Sequence, residues 1–245
     1  LPPLVALTVE EEGFAEAAGL AGLSERLFDT PQAIARLWRG WDWEREMVVG
    51  ARVAAGAAEG VTFDWRLLQG DPARVEITPL DPEGRRARLR IAWHDPWEVP
   101  RALDPAAARA EETPVRRLSR VDIAVFARRP GAAPSAPAFV TVAFPAHQIR
   151  RHAPRPDGRM QLLSIDYDAA TRGAYVDPTL HWTAPWTDRA VYDGGGARAG
   201  WERMRADGRT EEVAPGAHTY SIDRSEPRRP VLVPANGPAA VPSSP

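Results

Sequence analysis

The sequence predicts an all-β protein: an immunoglobulin-like two-sheet sandwich followed by a run of hairpins, with short N-terminal helices. Three observations carry this. Val61, Phe63, Trp65 and Leu67 alternate with Thr62, Asp64 and Arg66, the period-two pattern of a half-buried strand. About seven short segments of this kind fall within residues 43–145, with turn signals roughly every ten residues, as a sandwich requires. The 245 residues are 44% apolar, enough for a sizeable core, yet no apolar run reaches the roughly eighteen residues of a membrane-spanning helix.

Residues 1–42 read as a helical segment. Glu10 to Gly19 places Phe14, Ala17 and Ala18 on one helical face. Thr30-Pro31 has the form of an N-cap and first-turn pair, with Ile34, Leu37 and Trp38 at helical spacing and Gly40 at the closing position. From Trp43 the period changes. Met47, Val49, Ala51 and Val53 form a strand that an Ala/Gly turn over 54–60 joins to the strand at Val61. Val75 and Ile77 then face inward, Asp81-Pro82-Glu83-Gly84 turns the chain, and Ala87, Leu89, Ile91 and Trp93 return, with Arg86, Arg88 and Arg90 outside. Pairing Pro79 with Arg85 sets Glu76 opposite Arg88 as a cross-strand ion pair. The stretch from His94 to Ser119 is long for a connection, a length usually tied to function or partner contact; Asp104 to Glu112 within it reads as a short helix. Val121–Ala127 and Ala138–Phe144 are the closing strands.

Residues 146–226 read as a β-hairpin region. Asp157-Gly158 and Asp207-Gly208 are turn dipeptides, each followed by arginine, and Gly194-Gly195-Gly196 is a hairpin tip. Residues 227–245 carry proline at 227, 230, 234, 238, 242 and 245, the composition of an extended arm without a core of its own.

The run Phe63-Asp64-Trp65-Arg66-Leu67-Leu68-Gln69-Gly70-Asp71, an aromatic-x-Trp strand closed by a Gly-Asp turn, resembles the central strand and turn of PKD-type immunoglobulin-like domains. Ala87–Ala92 and Val140–Ala143 would be later strands, so the resemblance covers residues 43–145. It implies an immunoglobulin-like sandwich in an exported protein, periplasmic or extracellular, acting as a spacer or binding module. The stretch Ser119 to Phe144 is similar to segments of large secreted bacterial proteins.

Composition removes several chemistries. Without cysteine there is no disulfide, thiolate nucleophile, zinc-thiolate or iron–sulfur site. All 31 basic residues are arginine, so neither a Schiff-base lysine nor a P-loop lysine exists. With 33 acids and a net charge of −2, nucleic acid is not an expected partner. No G-x-S-x-G elbow is present, and His94, His147, His152, His181 and His218 never take H-E-x-x-H spacing. No cofactor is expected. The chain opens on Leu1 without a basic-then-apolar leader and reads as a trimmed chain without a signal peptide.

Nine tryptophans are the enriched resource. Set among Thr and Pro, His181, Trp182 and Trp186 form the most exposed-reading cluster and a candidate platform for stacking on a polysaccharide; core filling is the plainer role of such rings. Trp38 and Trp41 at the N-terminus, and Arg150 and Arg151 in the local basic patch, are candidate contacts to a protein partner or larger assembly. Asp166 and Asp168 alternate about Tyr167 and are candidate calcium ligands, with Asp177 or Asp188 as further oxygen donors. The expectation is a non-catalytic exported protein that binds or assembles through N-terminal helices and a C-terminal arm. Its alternatives are a carbohydrate-binding accessory module and a hydrolase whose carboxylate pair the sequence does not single out.

Overall fold

Alternating patterns become strands throughout the computed structural model, which describes residues 3–20, 22–56, 58–100, 115–146, 148–167, 181–182, 186–205, 207–214, 220–226 and 231–234. No helix occurs among the described residues. The chain divides into two compact units, Leu1–Ala17 with Ser24–Pro145, and Ala18–Leu23 with Ala146–Pro245.

The first unit holds β1 (Leu4–Glu12), β2 (Arg26–Thr30), β3 (Ala33–Leu37), β4 (Glu44–Ala55), β5 (Thr62–Gln69), β6 (Val75–Pro79), β7 (Arg86–Ala92), β8 (Trp97–Pro100), β9 (Val115–Leu118), β10 (Arg120–Arg128) and β11 (Ala138–Ala143). Sheet 1 has the order β1-β4-β7-β6 and sheet 2 the order β2-β3-β11-β10-β5. All pairings in these sheets are antiparallel except β3 with β11, which run parallel. Alternate residues of both sheets meet in one buried cluster: Val5, Leu7, Met47, Val49, Leu89 and Ile91 from sheet 1, and Ile34, Phe63, Trp65, Ile123, Val125 and Val140 from sheet 2. Each fully buried aliphatic side chain contributes about 1.5–3 kcal/mol. Trp65 belongs to this core, as its pattern predicts, and its Nε1 donates to the Gly84 carbonyl at 2.8 Å.

The predicted N-terminal helices do not form: residues 10–12 belong to β1, residues 13–19 are irregular, and the second segment is the β2–β3 turn and β3. Thr30-Pro31 is the start of a two-residue hairpin turn: the Thr30 hydroxyl accepts from the Ala33 amide at 3.0 Å, with Thr30 and Ala33 as the closing pair. Ser, Thr and Pro favour helix starts and turns for the same local reasons, so the dipeptide is ambiguous. Every residue from Ile34 to Gly40 is buried, which erases the alternation of β3 and leaves an accidental helical spacing. In the first segment the controlling signal was Val5, Leu7 and Val9, a period of two that lies ahead of the apparent helical face. Phe14 packs edge-on against Trp38, with ring centroids 5.8 Å apart, and is not part of a helix.

The β6–β7 hairpin forms, but two residues out of the expected register. Pro79 pairs with Ala87, so Glu76 lies opposite Arg90 and makes its ion pair there at 3.3 Å. The reason is a wider loop. Asp81 accepts from the amides of both Arg85 and Arg86, and Gly84 at φ +68 comes so close to the Phe63 carbonyl that a Cβ would sit 2.4 Å from the oxygen. Part of the long 94–119 stretch is regular, since β8 and β9 pair antiparallel; the expected helix at Asp104 to Glu112 lies outside the described residues.

The second unit holds β12 (Ile149–Pro154), β13 (Met160–Asp166), β14 (His181–Trp182), β15 (Trp186–Tyr192), β16 (Arg198–Arg205), β17 (Thr210–Val213), β18 (Tyr220–Asp223) and β19 (Val231–Pro234). Sheet 3 has the order β12-β13-β15-β16-β17, and β14-β19-β18 form a small separate sheet. Three of its turns share one construction. Arg155 to Arg159, Asp193 to Ala197 and Arg205 to Arg209 each close with an amide-to-carbonyl bond between first and last residues, and each has a left-handed glycine in fourth place: Gly158, Gly196 and Gly208. Both Asp-Gly dipeptides and the triple glycine are therefore turns, as predicted.

Candidate functional site

Two regions of the first unit have the geometry of a recognition site. The first is the outward face of sheet 2. Because Val140 and Ile123 face the core, their neighbours Phe139 and Ala124 face outward, and the register sets these beside Arg66 of β5. Phe28 lies opposite Ala35, which is in turn opposite Thr141 on the same face. Phe28 is 51% exposed, Leu68 57% and Phe139 36%. The charges interspersed among them are tied up, Asp64 with Arg66 at 2.8 Å and with Arg128 at 2.7 Å. Sheet 1 presents the opposite chemistry. Arg86 pairs with Glu10, Arg88 with Glu46, and Arg90 with Glu44 and Glu76, a ladder of exposed ion pairs.

The second region is a cavity of about 440 Å³ where the Gly70–Arg74 turn meets the start of β8, lined by Asp71, Arg74, His94, Asp95, Pro96 and Trp97. His94 is its hinge pin. The ring is buried; Nδ1 donates to the Ala92 carbonyl at 2.8 Å and Nε2 accepts from the Asp71 amide at 3.1 Å. A carbonyl only accepts and an amide N–H only donates, so these partners fix the neutral tautomer. Burial pushes the pKa of His94 below 6.5, assisted by the Arg74 cation and opposed by the Ala92 hydrogen bond and by Asp71 and Asp95. The other polar groups are held as well. Arg74 Nη1 donates to the Trp93 carbonyl at 2.7 Å while its guanidinium lies 5.4 Å from the Trp43 ring centroid. Asp95 Oδ1 accepts from Trp93 Nε1 at 2.7 Å, and Asp71 Oδ1 from the Ala73 amide at 2.9 Å.

An acidic groove of about 400 Å³ beside β4 is different in kind. Its Glu12 pairs with Arg26 and Arg36, Asp42 with Arg45, Glu44 with Arg90, and Glu46 with Arg88. These ion pairs belong to the fold's own charge network.

The residues singled out in the sequence are dispersed. Trp38 is wholly buried, stacked on Phe144 at 5.5 Å and edge-on to Trp93 at 6.1 Å; Trp41 is half-buried. Arg150 and Arg151 are neighbours on β12 and diverge: Arg150 is buried with its guanidinium on Gln148 Oε1, while Arg151 is exposed. Trp186 reads as exposed from its neighbours but is 5% exposed, packed on Tyr167 at 5.1 Å and under the Arg203 guanidinium at 4.6 Å. His181 and Trp182 form β14, and their side chains lie outside the described set. Asp166 is half-buried at the end of β13, whereas Asp168 and Asp177 lie outside the described residues. Asp188 is buried against Arg203 at 2.6 Å, and no group of three metal-ligating side chains exists among the described residues. The arm beyond Pro234 also lies outside them.

Sequence reasoning missed Asp71, Arg74, His94, Asp95 and Trp97 as a group. The available signal was His94-Asp95-Pro96-Trp97 opening a connection too long for its task. What the sequence does not show is that the Gly-Asp turn after β5 folds back onto it.

No protein-family model matches this chain, and no curated protein matches it. Among solved structures it is similar to a crystal structure of a mutant SrpA adhesin from Streptococcus sanguinis, with 13% identity, coverage of 87% of this chain and 94% of that chain, and a TM-score of 0.29. A likeness at that level assigns neither a family nor a ligand.

Proposed function

We propose that this chain is a non-catalytic, exported binding or assembly protein whose first unit is an immunoglobulin-like sandwich presenting the outward face of sheet 2 to a protein partner. The observation that carries the reading is the contrast between the two outer faces: sheet 1 is covered by paired charges, whereas sheet 2 leaves Phe28, Leu68 and Phe139 in solvent. Exposed apolar groups gathered on one face favour association. The strand order supports the fold assignment. β1-β4-β7-β6 against the β11-β10-β5 part of sheet 2 resembles the four-plus-three arrangement of immunoglobulin constant-type domains, with β3 and β2 added beside β11 and Trp65 on the strand equivalent to the one that carries their core tryptophan. The PKD-type resemblance of Phe63 to Asp71 supports export to the periplasm or beyond. The N-terminal contribution to the partner comes from strand β2 instead of helices, and the C-terminal arm, 227–245, is a second point of contact.

The test is photo-crosslinking in producing cells, with benzoyl-phenylalanine in place of Phe28 and, as a control, in place of Arg88. A discrete protein adduct at position 28 that is absent at position 88 is expected. No adduct at either position, or the same adduct at both, overturns the reading.

A further inference from the structure

We propose that the cavity between the Gly70–Arg74 turn and β8 binds a neutral saccharide, at a site separate from the partner face of sheet 2. Its volume of about 440 Å³ falls within the range of about 300–1,000 Å³ typical of small-ligand sites. Its polar groups are already anchored. Asp71 Oδ1 accepts from a backbone amide, Asp95 Oδ1 from an indole N–H, Arg74 Nη1 donates to a carbonyl, and Asp71 Oδ2 lies 3.6 Å from Arg74 Nε, which fixes the three side chains before any ligand arrives. Such a wall lowers the ordering cost of binding.

The charges select the ligand class. His94 is held neutral by its two partners, so the lining carries two carboxylates and one guanidinium. Asp71 and Arg74 offset each other as an ion pair, so an anion meets carboxylates at Asp71 and Asp95, a cation meets the guanidinium, and neither charged class finds an unopposed counter-charge in the wall. A hydroxyl donates and accepts at once, and a polyol can donate to the carboxylates while accepting from the guanidinium. Half-buried Trp97, its ring 5.5 Å from that of His94, supplies the apolar face on which the C–H side of a sugar ring stacks.

Saturation-transfer NMR on the full chain tests this, with cellobiose, lactose, chitobiose and mannobiose as neutral probes, tetramethylammonium as the cation control and inorganic phosphate, followed by phosphorus NMR, as the anion control. At least one disaccharide is expected to bind saturably. Trp97→Ala should weaken that binding at least tenfold while Trp97→Phe retains most of it. Asp71→Asn leaves the main-chain bond to His94 in place and should also weaken binding, which keeps the test decisive if Trp97→Ala does not fold. The proposal is overturned if none of the four disaccharides binds, if binding survives both Trp97→Ala and Asp71→Asn, or if only phosphate or tetramethylammonium binds.

Discussion

The two units fill their interiors differently. In the first, two sheets contribute aliphatic and aromatic side chains to a shared cluster, and buried ions lie outside that cluster: Arg36, 0% exposed, pairs with Glu12 at 2.6 Å and with Asp29 at 2.7 Å, and Glu25, 0% exposed, pairs with Arg45 at 3.3 Å. In the second, sheet 3 is organised about Arg203 and Asp188, both 0% exposed and joined by two hydrogen bonds of 2.6 and 2.7 Å, with Trp186 stacked on the guanidinium and Tyr167 on Trp186. Burial, aided by the Asp188 charge, pushes the Tyr167 phenol well above its usual range, so the hydroxyl stays neutral there. In the sandwich the shared cluster between the sheets is apolar and the buried ion pairs are not part of it. Sheet 3 instead centres its interior on the ion pair, which supplies specific geometry at the cost of dependence on both partners.

That comparison can be broken at its strongest point. Asp188→Ala strands a buried guanidinium and should cost about 3–5 kcal/mol, read as a fall in the urea midpoint. The double change Asp188→Leu with Arg203→Met should recover most of the loss; if the single change costs under about 1 kcal/mol, the ion pair is not what organises the second unit. In the first unit Leu89→Ala should cost about 2–5 kcal/mol through a cavity at the centre of sheet 1. Equal sensitivity of the two units to ion-pair deletion would remove the distinction.

The third effect is a pH dependence confined to the first unit. His94 has its folded pKa lowered from 6.5, so below that value the unfolded chain binds the extra proton more readily than the folded one. Its contribution to stability is complete above about pH 6.5 and is lost as the pH falls from there through the lowered value. Denaturant midpoints from pH 7.5 to pH 5 should decline in the wild type and less steeply in His94→Gln, which can still accept from the Asp71 amide; parallel curves would show that His94 is not the group responsible. The smallest effect is expected on the ionic face. Arg90→Ala removes exposed pairs with Glu44 and Glu76 and should change stability by about 0–1 kcal/mol, less still in high salt.

Much of the sandwich was legible because alternation is a direct signature of a sheet with one wet face. Arg86, Arg88 and Arg90 against Ala87, Leu89 and Ile91 mark both faces of β7 in the sequence alone. Legibility failed where that contrast vanishes. β3 is buried on all sides, so its residues carry no alternation, and its Thr-Pro start reads equally well as a helix cap. The candidate site failed for a different reason. Asp71 and His94 are 23 residues apart and meet only because a turn after β5 folds onto the end of β7. Trp186 shows the converse error, since polar and proline neighbours in sequence say little about what covers a ring in space.

By itself, the sequence determined the β class, the turns built on Asp-Gly and triple glycine, the core role of Trp65 and the absence of thiol and lysine chemistry. Each of these depends on residue identity and spacing alone. Only the tertiary structure decided that the N-terminal segment holds strands and irregular chain in place of helices, that Glu76 pairs with Arg90, that Trp38, Trp186 and Arg150 are interior, and that His94 closes a cavity with Asp71. Those are pairings across distant segments, and the free energy that selects them is burial and hydrogen bonding shared between residues that the chain order keeps apart.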